Sequence, residues 1–239
     1  MASDNSSHTD GAQASERVAV LAGAAGELGR ATAPKLTAAG YTVVGIDRTE
    51  DGLKGLPDGI RYEVGDPTEP ATARSLVDRI ATTIGPPEVL VNTIGTYHLG
   101  DALDATPEDL RLMMDVNVGT ALWLTQAVAP YMRRHGAGAI VHVAARPGLE
   151  PTAGMATYGI SKAALVHLTR ILDLELRPLG IRVNAVAPQL IDTPKTRPYL
   201  PPEMLAHAVS PEAIAETIVY LISGAAAPIS GAIVPTYGA

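Results

Sequence analysis

Arg17-Val-Ala-Val-Leu-Ala22 runs straight into Gly23-Ala-Ala-Gly26-Glu-Leu-Gly29, and a helical pattern then continues to Gly40. A short, nearly all-apolar run is the right length for a parallel strand buried on both faces. Strand, glycine turn and helix in that order form a context for binding a dinucleotide. Gly23 permits the tight turn, Gly26 lets the backbone approach a pyrophosphate, and Gly29 lets the helix pack on the strand. Phosphates held there would meet the free N–H groups at the start of the helix, where Leu28 sits. A plain glycine-rich turn is the alternative reading of the same residues.

The next strand reads Tyr41 to Ile46 and is ended by Asp47, about 20 residues past the glycines. A carboxylate at that point accepts hydrogen bonds from an adenosine ribose and repels a 2′-phosphate. NAD(H) is therefore the preferred cofactor. Arg48 follows directly and is able to bind a 2′-phosphate, which keeps NADP(H) open.

Further strands are expected at Ile60 to Val64, Glu88 to Val91, Ala139 to Val143, Ile181 to Val186 and Ala232 to Val234. Helices fall between them: Thr68 to Ile84, Thr106 to about Arg134, Ala156 to Leu179, and from Ser210 onward. Thr106-Pro-Glu-Asp is a strong helix start, with a capping threonine, proline at the first position and acids in the first turn. Strands alternating with helices predict an α/β fold: a single-domain, Rossmann-type doubly wound parallel sheet with helices on both faces, over residues 17–239. Residues 1–16 are polar and lack the basic start and apolar core of a signal peptide. They read as a disordered tail.

Composition narrows the partners. The chain has 239 residues, a formal net charge of −7 and no basic run, which argues against nucleic acid. It has no cysteine, and its six histidines form no spacing that implies a metal site. No apolar run reaches the ~18 residues of a membrane span. A small-molecule partner and a cytoplasmic location are the expectation.

Tyr158-Gly-Ile-Ser-Lys162 carries the chemistry. A tyrosine and a lysine four residues apart share one face of a helix. A free phenol titrates near pH 10, too high for proton transfer at neutral pH. An ammonium one turn away favours the phenolate and is expected to lower that value. Such a tyrosine gives a proton to a carbonyl oxygen or takes one from an alcohol.

Taken together, the glycine turn, Asn92-Thr-Ile-Gly95, Asn117 and Tyr158-x-x-x-Lys162 resemble the short-chain dehydrogenase/reductase family in order and spacing. The resemblance covers nearly all of residues 17–239. It implies a nicotinamide cofactor and hydride transfer to or from a carbonyl or alcohol carbon. Tyr158 matches the catalytic acid/base, and Lys162 the lysine that binds the nicotinamide ribose. Asn117 matches the asparagine that holds a water in the proton relay, and Asp66 the aspartate beside the adenine. Pro188-Gln-Leu-Ile191-Asp-Thr193 matches the segment whose isoleucine backbone meets the carboxamide and whose threonine meets a phosphate.

Three departures stand out. Glu27 sits where the family turn has its middle glycine, Gln189 replaces a glycine, and Ala145 occupies the place of the catalytic serine. Losing a donor of that kind costs roughly two to three orders of magnitude in rate. Ala145-Arg146 and Thr152-Ala-Gly-Met155-Ala-Thr-Tyr158 resemble the quinonoid dihydropteridine reductase branch of the family, whose acceptor ring needs less polarisation. Thr152, Thr157, Arg146 and His142 are the candidates to stand in for the serine. The alternative function is a nicotinamide-cofactor-binding protein with little or no catalysis.

The helices over Thr106–Arg134 and Ala156–Leu179 are apolar nearly all round, with Leu110, Met113, Leu122, Leu165, Ile171 and Leu174 among their residues. Such helices are covered on more than one side. A homodimer or homotetramer is expected through them; central placement in a monomer is the other reading.

Overall fold

The computed structural model describes residues 16–194, 196–199 and 201–238. The tail expected over residues 1–16 therefore lies outside the described residues, Glu16 excepted.

Seven strands form one sheet: β1 (Val18–Ala22), β2 (Thr42–Asp47), β3 (Arg61–Val64), β4 (Pro87–Asn92), β5 (Gly138–Val143), β6 (Ile181–Pro188) and β7 (Ile233–Thr236). Every pairing is parallel, in the order β3-β2-β1-β4-β5-β6-β7. The chain first winds outward from β1 to β3, then returns to lay β4 against the other edge of β1. That reversal opens a crevice beyond the carboxyl ends of β1 and β4, where doubly wound sheets bind their ligands.

Among the described residues, eight α-helices accompany the sheet: α1 (Glu27–Ala38), α2 (Glu50–Lys54), α3 (Pro70–Thr83), α4 (Pro107–Met114), α5 (Thr120–His135), α6 (Ala156–Leu176), α7 (Pro202–Leu205) and α8 (Pro211–Ile222). Alternation along each strand builds two cores. Leu21, Val43, Val91 and Val141 pack under α1 and α8. Val20, Val44, Leu90 and Ile140 pack under α3, α5 and α6. Each such side chain, fully buried, contributes roughly 1.5–3 kcal/mol. The near-continuous apolar character of the strands follows from this double covering.

Strand positions agree with the sequence expectation to within a few residues. One expected helix does not run through. Thr106 caps α4 in a full capping box, its Oγ1 accepting from Asp109 N at 3.1 Å and its own N–H donating to Asp109 Oδ2 at 3.0 Å. The α-helix then stops at Met114, and Asp115–Gly119 forms a single π turn before α5 begins. Asn117 sits in that turn and is fully buried. Single π turns of this kind recur at functional sites. The last strand starts one residue later than expected and runs two further. The short helices α2 and α7 have no counterpart in the sequence reading.

Candidate active site

The glycine turn after β1 is held from several sides. Gly23 has φ +79°, and a β-carbon there would stand 2.6 Å from Thr93 Oγ1. A β-carbon on Gly29 would stand 2.2 Å from the Gly23 carbonyl oxygen. Neither position has room for a larger residue: Gly23 lies against Thr93 and Ile94 after β4, and Gly29 against the backbone of Gly23 and Ala24. Gly26 is different: a β-carbon there meets only the Gly23 oxygen at 3.3 Å. Its face is open toward the N-terminus of α1, where the first N–H groups have no partner inside the helix. Leu28 contributes a backbone N–H there, while its side chain belongs to the core. An open helix start beside an unfilled glycine face fits a dinucleotide pyrophosphate.

Asp47 ties this turn to the end of β2. Its Oδ2 accepts from Ala25 N at 3.0 Å and its Oδ1 from Arg48 N at 2.8 Å. The carboxylate therefore stands at the rim of the turn, with the exposed Arg48 next to it. Two supports escaped sequence reasoning. Arg30 donates to the carbonyls of Ala25, Gly52 and Gly55, binding the turn to α2 and its C-terminal end. Thr93 Oγ1 donates to the Ala22 carbonyl at 2.8 Å, joining the ends of β4 and β1. Neither carries a motif; each is recognisable only from its contacts.

The other expected cofactor residues lie around the same crevice. Asp66 Oδ1 accepts from Thr68 N at 3.0 Å and Thr68 Oγ1 at 2.8 Å, just ahead of α3. Asn92 is buried, donating to Thr120 Oγ1 and accepting from Ile94 N at 3.1 Å. Its side chain thus shapes the turn from Thr93 to Gly95 from behind. Pro188 closes β6 opposite Thr236, and Ile191 bridges to Val209. Thr193 is knotted to Thr196, whose hydroxyl also donates to the Ile191 carbonyl at 3.0 Å.

The structure brings Tyr158, Lys162, Asn117 and Gly95 together. Lys162 is buried and donates to the Val143 carbonyl at the end of β5, at 2.8 Å. Its Nζ lies 5.9 Å from the centroid of the Tyr158 ring. A β-carbon on Gly95 would approach both Lys162 Nζ and Asn117 Oδ1 to 3.2 Å. The Asn117 side chain is fully engaged. It accepts from Thr96 N at 2.9 Å, donates to the Thr96 carbonyl at 2.9 Å, and donates to Ser161 Oγ at 3.0 Å. It is a clamp on the backbone of the loop after β4, and its side chain is not free to hold a water.

The electrostatics correct one expectation. Burial pushes the Tyr158 phenol up to about 12, whereas the neighbouring ammonium was expected to lower it. Burial also holds Lys162 down at about 8, so desolvation governs both groups. His142, on β5, is driven down to about 4 by burial and by the Lys162 charge. Its Nδ1 has no partner among the described residues, and its Nε2 faces Thr125 Oγ1 at 3.4 Å.

Ala145 is buried at the end of β5 and presents no donor. The residues considered as stand-ins for the family serine are paired, turned to the backbone or buried. Arg146 is paired with Glu150 at 2.8 Å, Thr152 Oγ1 points to the Glu150 carbonyl, and Thr157 and His142 are buried. Among the described residues no helix is long and apolar enough to cross a membrane.

A family model described as short chain dehydrogenase matches residues 17–203. The galactitol 2-dehydrogenase of Rhizobium johnstonii is 34% identical over 235 residues, spanning 90% of this chain and 91% of its own. The 3-oxoacyl-[acyl-carrier-protein] reductase of Thermotoga maritima is 30% identical over 234 residues, spanning 91% and 95%. Among solved structures, L-sorbose reductase from Gluconobacter frateurii, complexed with NADPH and L-sorbose, superposes with a TM-score of 0.87 at 27% identity over 94% of this chain and 96% of its own. None of these three is a dihydropteridine reductase.

Proposed function

The chain belongs to the short-chain dehydrogenase family, and from that premise we propose that Tyr158 moves the proton of its reaction. The protein is an NAD(P)-dependent oxidoreductase acting on a small molecule. The nicotinamide, when bound, supplies or accepts the hydride. Tyr158 gives its proton to the oxygen of a carbonyl or quinonoid acceptor, or takes one from an alcohol. The observation that carries this reading is the packing of Tyr158 and Lys162 at the carboxyl ends of β4 and β5, beside Asn117.

A phenol pushed up to about 12 is protonated at neutral pH. It therefore has a proton to give when the reaction runs as a reduction. Lys162, still largely charged at pH 7, offers its ammonium to the ribose side of the crevice. Asn117 holds Thr96 in place through its side chain. On this reading Gly23, Gly26, Leu28 and Gly29 hold the pyrophosphate, and Asp66 lies beside the adenine. Pro188, Ile191 and Thr193 border the nicotinamide. Asn92 and Gly95 shape the wall between them.

NADH is the preferred cofactor in this proposal, because Asp47 presents a carboxylate at the rim of the glycine turn. Titration with NADH and NADPH tests it. The expected outcome is tighter NADH binding, and Asp47→Ala is expected to reduce that preference. Tighter NADPH binding by the unaltered chain would mean that Arg48 dominates.

Ala145 favours acceptors that need little polarisation, such as a quinonoid ring, or a donor supplied from another residue. It also favours a second reading, a cofactor-binding protein with little turnover. NADH consumption matched to product with any member of a carbonyl and quinone panel removes that second reading. Pairing of copies through α4 and α6 completes the proposal.

A further inference from the structure

We propose that the Tyr97 hydroxyl supplies the substrate hydrogen bond that Ala145 cannot, making the site a two-phenol site. The inference rests on the reading of Tyr158 as proton donor.

Tyr97 lies on the loop after β4. Its ring meets the Tyr158 ring edge to face, with centroids 6.5 Å apart and planes at 73°. That is within the usual range for an aromatic pair. It is also 64% exposed, so its surface is available to a substrate lying on Tyr158. The loop is fixed on either side of it. Asn117 clamps both backbone groups of Thr96. Gly100 N donates to the Gly154 carbonyl at 2.9 Å, and Gly100 pairs with Met155 at the entrance to α6. A donor held this way needs little ordering when the substrate arrives, which is the condition for useful electrostatic stabilisation.

The competing side chains are paired or buried. Ser161 Oγ donates to the Tyr158 carbonyl at 2.8 Å and accepts from Asn117. Arg146 is paired with Glu150, and Thr157 and His142 are buried. Tyr97 is the polar side chain the structure places against Tyr158 and leaves open.

The proton balance is simple. In reduction the carbonyl carbon receives the hydride, and its oxygen receives the proton from Tyr158 Oη. Tyr97 keeps its own proton and only donates a hydrogen bond to that oxygen. Its contribution is therefore to the developing negative charge, and it appears in kcat.

The test is NADH oxidation with 9,10-phenanthrenequinone and with cyclohexanone as acceptors, comparing the unaltered chain with Tyr97→Phe, Tyr97→Ala and Tyr97→Phe combined with Ala145→Ser. Phenylalanine keeps the ring and removes the donor. The expected result is a roughly ten- to hundredfold fall in kcat for Tyr97→Phe with unchanged NADH affinity. Recovery of most of that loss is expected when Ala145→Ser is added, since the serine restores a donor. Tyr97→Phe with unaltered kcat, whether or not Tyr97→Ala is impaired, overturns the proposal and leaves Tyr97 a packing residue. If Tyr158→Phe is inactive while Tyr97→Phe is normal, this proposal alone fails. No turnover by the unaltered chain with either acceptor or the wider carbonyl and quinone panel overturns the reading of the site itself, and the Tyr97 proposal with it.

Discussion

Desolvation decides the state of the groups around Tyr158. Tyr158 and Lys162 are driven in opposite directions by the same cause, each toward its uncharged form. Sequence spacing showed that the two share a helix face, but it carried no information about how deeply they lie. The charge of Lys162 was expected to win; burial wins because both groups sit under the loops that follow β4 and β5. His142 experiences the same environment and has no functional role in this account. Its ring titrates near 4 in the folded chain against about 6.5 in the unfolded one. Between those values the unfolded state binds a proton that the native state does not, so stability falls as pH falls from about 6.5 to about 4. The loss approaches about 3 kcal/mol. Urea midpoints measured between pH 7 and pH 4.5 should show it, and His142→Asn should flatten the slope. An unchanged slope in that variant would place the acid sensitivity elsewhere.

At the level of elements, most of the architecture could be read directly. Arg17 to Gly29 announced strand, turn and helix, and Thr106-Pro-Glu-Asp announced α4, because capping and glycine signals act within a few residues. The π turn at Asp115–Gly119 could not be read, since it depends on where Asn117 finds Thr96 and Ser161, residues distant in sequence. Arg30 was equally out of reach as a partner of the glycine turn, for the same reason. The helices expected to be covered on two sides do carry exposed apolar residues. Ile160, Ile171 and Leu174 on α6, and Leu110 and Leu112 on α4, are exposed, with Leu174 at 70%. Central placement within one copy leaves these unexplained, and pairing through α4 and α6 accounts for them. Sedimentation at micromolar concentration is expected to show a dimer or tetramer, and Leu174→Glu to shift it toward monomer. A monomeric unaltered chain would end this part of the account.

The described residues form one sheet whose strand order reverses beside β1, and the proposed site sits at that reversal. The glycine turn, Asp47 and the start of α1 line one side of the crevice. Tyr158, Lys162 and Asn117 line the other. On the proposed reading, what sets this chain apart is local: the buried Ala145 just beyond β5, and the exposed Tyr97 against Tyr158. NADH consumption at pH 7 by the unaltered chain and by Tyr158→Phe, across a panel of ketones and quinones, tests the acid role of Tyr158. The account predicts turnover by the unaltered chain and a roughly 10²–10⁴-fold lower kcat for the variant, with NADH binding retained. Full turnover by Tyr158→Phe would contradict it.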